Sequence, residues 1–190
     1  MHRKPKWLFV GRSNWKLPLG LMSALLMVGV LIPTLAYARQ DELADVRQVT
    51  AQFHRVEAAE AAGYKLGYLT GDGRTIITGC VAHPTDPTAG AMGFHYFNKA
   101  LIDDMVADVL KPEGLVYAPA SNGELKLVAV EYVVPGPNSN PRGPAETPSV
   151  LGRPMHILVP AVGFWILHAW VWSHNPTDMF SDWNPEVTCA

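Results

Sequence analysis

Apolar residues recur at intervals of three and four from Leu43 through Val46, Val49, Phe53 and Val56, with Arg47, Arg55, Glu57 and Glu60 elsewhere on the wheel. That spacing predicts one amphipathic helix over Asp41–Ala62, with Asp41 as its N-cap and Gly63 as a left-handed stop. Beyond it the pattern changes to short β-rich runs punctuated by Gly and Pro. Thr75–Val81 and Ala91–Phe97 read as strands separated by the rigid loop His83-Pro84-Thr85-Asp86-Pro87. Asn98–Leu110 reads as a second helix, since Leu101, Met105, Val109 and Leu110 share a face. Leu115–Ala118 and Glu124–Val134 form the clearest hairpin, joined across Ser121-Asn122-Gly123, where Asn-Gly is a strong turn signal. Pro135–Pro154 carries six prolines and no hydrophobic period, as binding loops and plain surface excursions both do. Met155–Val159 and Phe164–Trp172 read as two further strands, the second apolar on both faces and therefore buried or pocket-lining. These elements predict an α+β fold in which one long N-terminal helix packs on a curved antiparallel β-sheet or partial barrel.

Ahead of the first helix the pattern has a different purpose. Arg3, Lys4, Lys6, Arg12 and Lys16 make a basic start, Leu17–Ile32 is an uncharged apolar run of 16 residues, and Ala36-Tyr37-Ala38 supplies a small-x-small cleavage pattern. Sixteen residues fall short of the roughly 20 that span a bilayer. Residues 1–38 are thus expected to be a secretory signal peptide and residues 39–190 a single exported domain, periplasmic or secreted, with no stable membrane span after cleavage. Loss of the signal leaves ten basic against 17 acidic residues, a net charge of −7. An acidic chain without a basic run is poorly suited to nucleic acid or anionic membranes.

The chain has two cysteines, Cys80 and Cys189. In an oxidising compartment they are expected to pair and close the domain. Redox-active thiols are the alternative, although no Cys-x-x-Cys is present.

The sequence contains no His-Glu-x-x-His helix, Gly-x-Ser-x-Gly elbow, phosphate loop, dinucleotide fingerprint or haem-attachment motif. What remains is the placement of histidines and aromatic residues. His95 lies in Gly93-Phe94-His95-Tyr96, His168 lies in Leu167-His168-Ala169-Trp170, and His83 heads the Pro-rich loop. Alternation puts Phe164, Ile166, His168, Trp170 and Trp172 on one face of the last strand. Glu131 sits in a strand that is apolar on both faces, a costly place for a carboxylate unless it is paired, protonated or bound to metal. Neutral imidazoles with one carboxylate are a ligand set for Zn(II), Cu(II) or non-haem Fe(II). His83, His95, His168 and Glu131 are therefore the candidate ligands of a divalent transition metal, or a general acid–base cluster without one. Tyr96, Trp170 and Trp172 are candidates to line a small-ligand pocket, because the four tryptophans after residue 38 all fall within residues 165–190. The competing reading is a non-catalytic envelope or extracellular domain that acts through protein contacts.

The segments Gly79-Cys80-Val81-Ala82-His83-Pro84, Gly90-Ala91-Met92-Gly93-Phe94-His95-Tyr96 and Trp172-Ser173-His174-Asn175-Pro176, with the ending Trp183-Asn184-Pro185-Glu186-Val187-Thr188-Cys189, resemble a family of uncharacterised exported bacterial proteins. The resemblance implies one exported domain and carries no chemistry with it.

Overall fold

The computed structural model describes residues 40–158, 160 and 162–189; the expected signal peptide lies outside them. Residues Ala38–Ala190 group into one compact unit. The spine is β7 (Leu125–Pro135), eleven residues buried almost throughout. It pairs antiparallel with β6 (Gly114–Pro119) on one side and with β10 (Phe164–Ala169) on the other. β6 in turn pairs with β5 (Ala91–Phe97), whose free edge is shared by β1 (Lys65–Leu66) and β4 (Cys80–Ala82). The order is β1-β5-β6-β7-β10, with β4 also on β5. Two small two-stranded ribbons accompany this sheet. They are β2 (Tyr68–Leu69) with β3 (Thr75–Ile76), and β8 (Ser149–Val150) with β9 (Arg153–Pro154).

The fold is therefore mostly β, and three expectations need correction. The sheet is open: among the described residues no pairing joins the β1/β4 edge to β10, so it is not a barrel. The single long helix is also absent. Residues 40–50 are helical (α1), Ala51–Phe53 tighten into a 3₁₀ turn, and α2 (Val56–Ala61) starts afresh after an extended Arg55. The cause is tertiary. The Tyr117 hydroxyl donates to the Phe53 carbonyl at 2.6 Å, taking an acceptor that a continuous helix would use. The Arg55 carbonyl then accepts from Ala58 and Ala59 and opens the next helix. The second expected helix is shorter too: α3 (Lys99–Asp104) is capped by the Asn98 side chain and ends at Met105, which is left-handed at φ 61°.

Both sheet faces are covered. On one, Tyr96, Leu115, Tyr117, Leu127, Val130, Tyr132 and Leu167 pack against Leu43 and Val46 of α1 and Ala59 of α2. On the other, Val116, Ala129 and Trp170 pack with Val187 and Cys189 of the C-terminal segment, and Phe97, Val133 and Ile166 pack with Ile102. The register slips between Val116 and Tyr117, leaving Val128 as an extra residue in β7. That bulge puts Leu127 on the helix-covered face, whereas simple alternation puts it with Glu131. The Cys80–Cys189 disulfide, with Cα atoms 5.5 Å apart, ties the C-terminal segment to β4 over the second face.

Candidate metal centre

Cross-strand partners in an antiparallel sheet project to the same side. Phe97, Gly114, Glu131 and His168 are successive partners across β5, β6, β7 and β10, so they form one row on the second face. His95, two residues before Phe97, shares that face. Glu131 and His168 are direct neighbours, whereas His95 and Glu131 are separated by the whole width of β6. Gly114 bridges that gap by leaving it empty. A Cβ there would stand 3.0 Å from the Glu131 Cβ and 3.2 Å from the Phe97 ring. With no side chain in between, Glu131 Oε2 comes within 3.6 Å of His95 Nε2, and Glu131 Oε1 within 3.9 Å of His168 Nδ1.

One ligand atom from each of His95, Glu131 and His168 lies within 4.8 Å of the other two, and all three residues are buried. The group can hold a metal ion. Ligand atoms on one tetrahedral Zn(II), at bonds of about 2.0–2.2 Å, stand about 3.4 Å apart. Closing the observed spacings onto an ion therefore takes small side-chain movements only.

The hydrogen bonding of the three residues is unusual. Glu131 Oε2 and both ring nitrogens of His168 have no partner, and His95 Nδ1 has none of normal geometry. A buried polar group left unpaired costs about 1–3 kcal/mol. The rings are held by packing instead. His168 stacks on Trp170 with centroids 5.6 Å apart, His95 stacks on Phe97 at 5.8 Å, and the two imidazoles meet edge-on at 5.4 Å. Burial lowers the His95 imidazole to about 4, opposed only by the nearby Gly93 backbone, and holds His168 well below its ordinary value. Burial pushes the Glu131 carboxyl up to about 8, helped by the charges of Asp182 and Glu113. At neutral pH the cluster is thus uncharged, and its imidazoles are in the form that ligates metals.

A second pair stands behind it. Asp182 Oδ2 lies 2.9 Å from Nε2 of half-exposed His156, and that hydrogen bond raises the His156 imidazole. His156 bridges to Ile166 on β10, two residues from His168; the charge of Asp182 acts on Glu131 and that of His156 on His168.

The structure does not bring the other candidates together. His83 stays on its loop, where Nδ1 accepts from the Asp86 backbone at 2.9 Å and the ring meets Trp183 edge-on. Tyr96 points to the opposite, helix-covered face and packs on Tyr117. Trp170 is buried, with its indole donating to the Ser181 carbonyl. Trp172 packs on the helix side, and its indole donates to Thr50 Oγ1. The alternation that put both tryptophans on one face ends at Ala169, whose carbonyl accepts from Val171 in a tight turn.

Three residues of this region carry weaker signals in the sequence. Glu113 is fully buried; Oε2 accepts from the Val133 amide at 2.8 Å, and burial pushes the carboxyl up to about 8. Its setting in Pro112-Glu113-Gly114 looks like an ordinary solvated turn. Asp182 and His156 lie in irregular segments with no period to place them. No family model, no curated protein and no solved structure matches the chain.

Proposed function

We propose that this is an exported metal-binding protein that holds one divalent transition-metal ion on His95, Glu131 and His168. The observation that carries the reading is the convergence, from three strands, of two neutral imidazoles and one carboxyl group, with Glu131 Oε2 and both His168 ring nitrogens unpartnered. Two imidazoles and a carboxylate leave coordination positions open, as in hydrolytic zinc sites and in non-haem Fe(II) sites. The disulfide supports export, being consistent with an oxidising compartment. The basic start, apolar run and Ala36-Tyr37-Ala38 support it from the sequence. No helix among the described residues is long and apolar enough to cross a membrane.

The test is elemental analysis of the purified protein, followed by calorimetric titration of the EDTA-treated protein with Zn(II), Cu(II) and, under nitrogen, Fe(II). The expected result is one ion per chain. Glu131→Gln and His168→Leu should each weaken binding at least tenfold, since loss of a ligand removes a full coordinate bond. His83→Ala should bind as the unaltered chain does. Folded protein that takes up no ion, or uptake indifferent to both ligand substitutions, overturns the reading and leaves the non-catalytic envelope domain.

A further inference from the structure

The centre borders a cavity of about 140 Å³ that is partly open to solvent. Its walls are apolar and come from several parts of the chain: Ile77 from the turn before β4, Val81 from β4, Met92 and Phe97 from β5, Val133 from β7, and Ile166 from β10. Among the described residues, only His95 and Glu131 bring polar side chains to its surface. A dry cavity of about 150 Å³ lined by Leu, Ile and Phe accepts benzene. This one therefore has room for one six-membered ring or a short hydrocarbon chain.

Two further observations separate it from a packing defect. Glu131 is 4% exposed, lines the cavity and has Oε2 unpartnered, so one end offers an unmet acceptor. Ile77 adopts φ 59°, a left-handed conformation that a β-branched residue takes only under strain. Strain of that kind costs of order 1–3 kcal/mol and gathers at functional sites. Here the strained residue forms part of the cavity wall.

We propose that this cavity is a binding pocket for a small neutral hydroxylated hydrocarbon of phenol size, with its hydroxyl set against Glu131 and His95 and its body among the aliphatic walls. The head group follows from which charges the polar end tolerates. In the metal-free protein a carboxylate ligand would be stripped of water among apolar walls with no cation to meet it, and an ammonium would face the cation in the loaded one. A hydroxyl suits both states: it donates to Glu131 Oε2 when no ion is present, and its oxygen fills an open position when one is. Larger molecules exceed the 140 Å³ and would leave much of their apolar surface in water, and bare hydrocarbons leave the acceptor unmet. The inference rests on the metal-centre reading, because His95 and Glu131 belong to both.

The experiment is calorimetric titration of the full-length protein, EDTA-treated and zinc-loaded, with phenol, benzene, benzoate and 2-naphthol. Phenol is expected to bind with a Kd of about 1 mM or tighter, roughly tenfold better than benzene, the gain of one hydrogen bond. Benzoate to the metal-free protein and 2-naphthol to either form should show no binding. Val81→Phe, which fills the cavity from a residue outside the centre, should abolish phenol binding and leave zinc uptake unchanged. Phenol binding by protein that takes no zinc supports the pocket and removes the centre. Zinc uptake without phenol binding removes the pocket and leaves the centre. Binding that persists in a folded Val81→Phe, or 2-naphthol binding as well as phenol, also overturns the pocket.

Discussion

Gly114 has no functional group, yet the meeting of His95 with Glu131 depends on it. Any side chain there would crowd the Glu131 Cβ and the Phe97 ring, on which His95 stacks. Gly114→Val should therefore destabilise the protein by about 1–3 kcal/mol through overpacking. It should also weaken zinc binding in whatever fraction stays folded. Urea unfolding with a parallel zinc titration measures both; a fully stable Gly114→Val with unaltered zinc affinity would refute this role. Glu113 supports a second prediction, about pH. Its buried carboxyl titrates at about 8, against an ordinary 4.5, so over that interval the folded chain keeps a proton that the unfolded chain has lost. Stability then falls as pH rises, until the folded group ionises. The lowered His95 and His168 act in the opposite sense, losing stability as pH falls from about 6.5 toward 4. The carboxyl effect is thus clearest between pH 6.5 and 8. In metal-free protein, unfolding free energy should drop there by about 1 kcal/mol per pH unit for each such carboxyl. Glu113→Gln, which keeps the acceptor for Val133, should flatten the slope, and an unchanged slope would count against a neutral Glu113.

Among the elements, the break between α1 and α2 shows how tertiary contact overrides a clean local pattern. The apolar residues from Leu43 to Val56 keep helical spacing to the end. The hydroxyl that interrupts them, however, belongs to Tyr117, 64 positions away, and no local signal announces it. Tyr117→Phe should cost about 1 kcal/mol. It should also slow amide exchange around residues 54–56 as the junction relaxes toward continuous helix, and faster exchange there would contradict this account. The strands were easier to read than the helix because their signals are local. Asn122-Gly123 marks the β6–β7 hairpin, and the run Ala91–Phe97 matches β5 residue for residue. His95, Glu131 and His168 were legible for the same reason, as polar residues interrupting buried strands. Their convergence was not, because it depends on register and on an empty glycine lane. His83 looked equivalent in the sequence, yet a histidine on a loop can satisfy itself with nearby backbone amides. Trp170 keeps the face that alternation gives it, beside His168, whereas Trp172 crosses to the helix side because the backbone turns after Ala169.

For the whole molecule, the decisive arrangement is one open sheet with a different cover on each face. The helices cover one side, and the C-terminal segment, held by Cys80–Cys189, covers much of the other. A bond closing a loop of 109 residues is worth roughly 4–5 kcal/mol in the chain-entropy account, less any strain. Replacing both cysteines by alanine should lower the urea midpoint by an amount equivalent to about 2–5 kcal/mol. Because Cys80 anchors β4, whose Val81 forms a cavity wall, the same variant should lose affinity for phenol before it unfolds. Undiminished affinity would mean that the wall keeps its place without the bond.

The tail that covers the second face also sets an order of events. A chain made from its N-terminus presents His95 and Glu131 long before His168, and the segment that closes over them comes later still. Its cysteine finds a partner only where thiols are oxidised. On the proposed reading, an exported chain would complete the centre after crossing the membrane and would fill it from the ions at the destination rather than from those of the cytoplasm. The choice of metal would then be made by place and timing, before the relative affinities of the three side chains had any say.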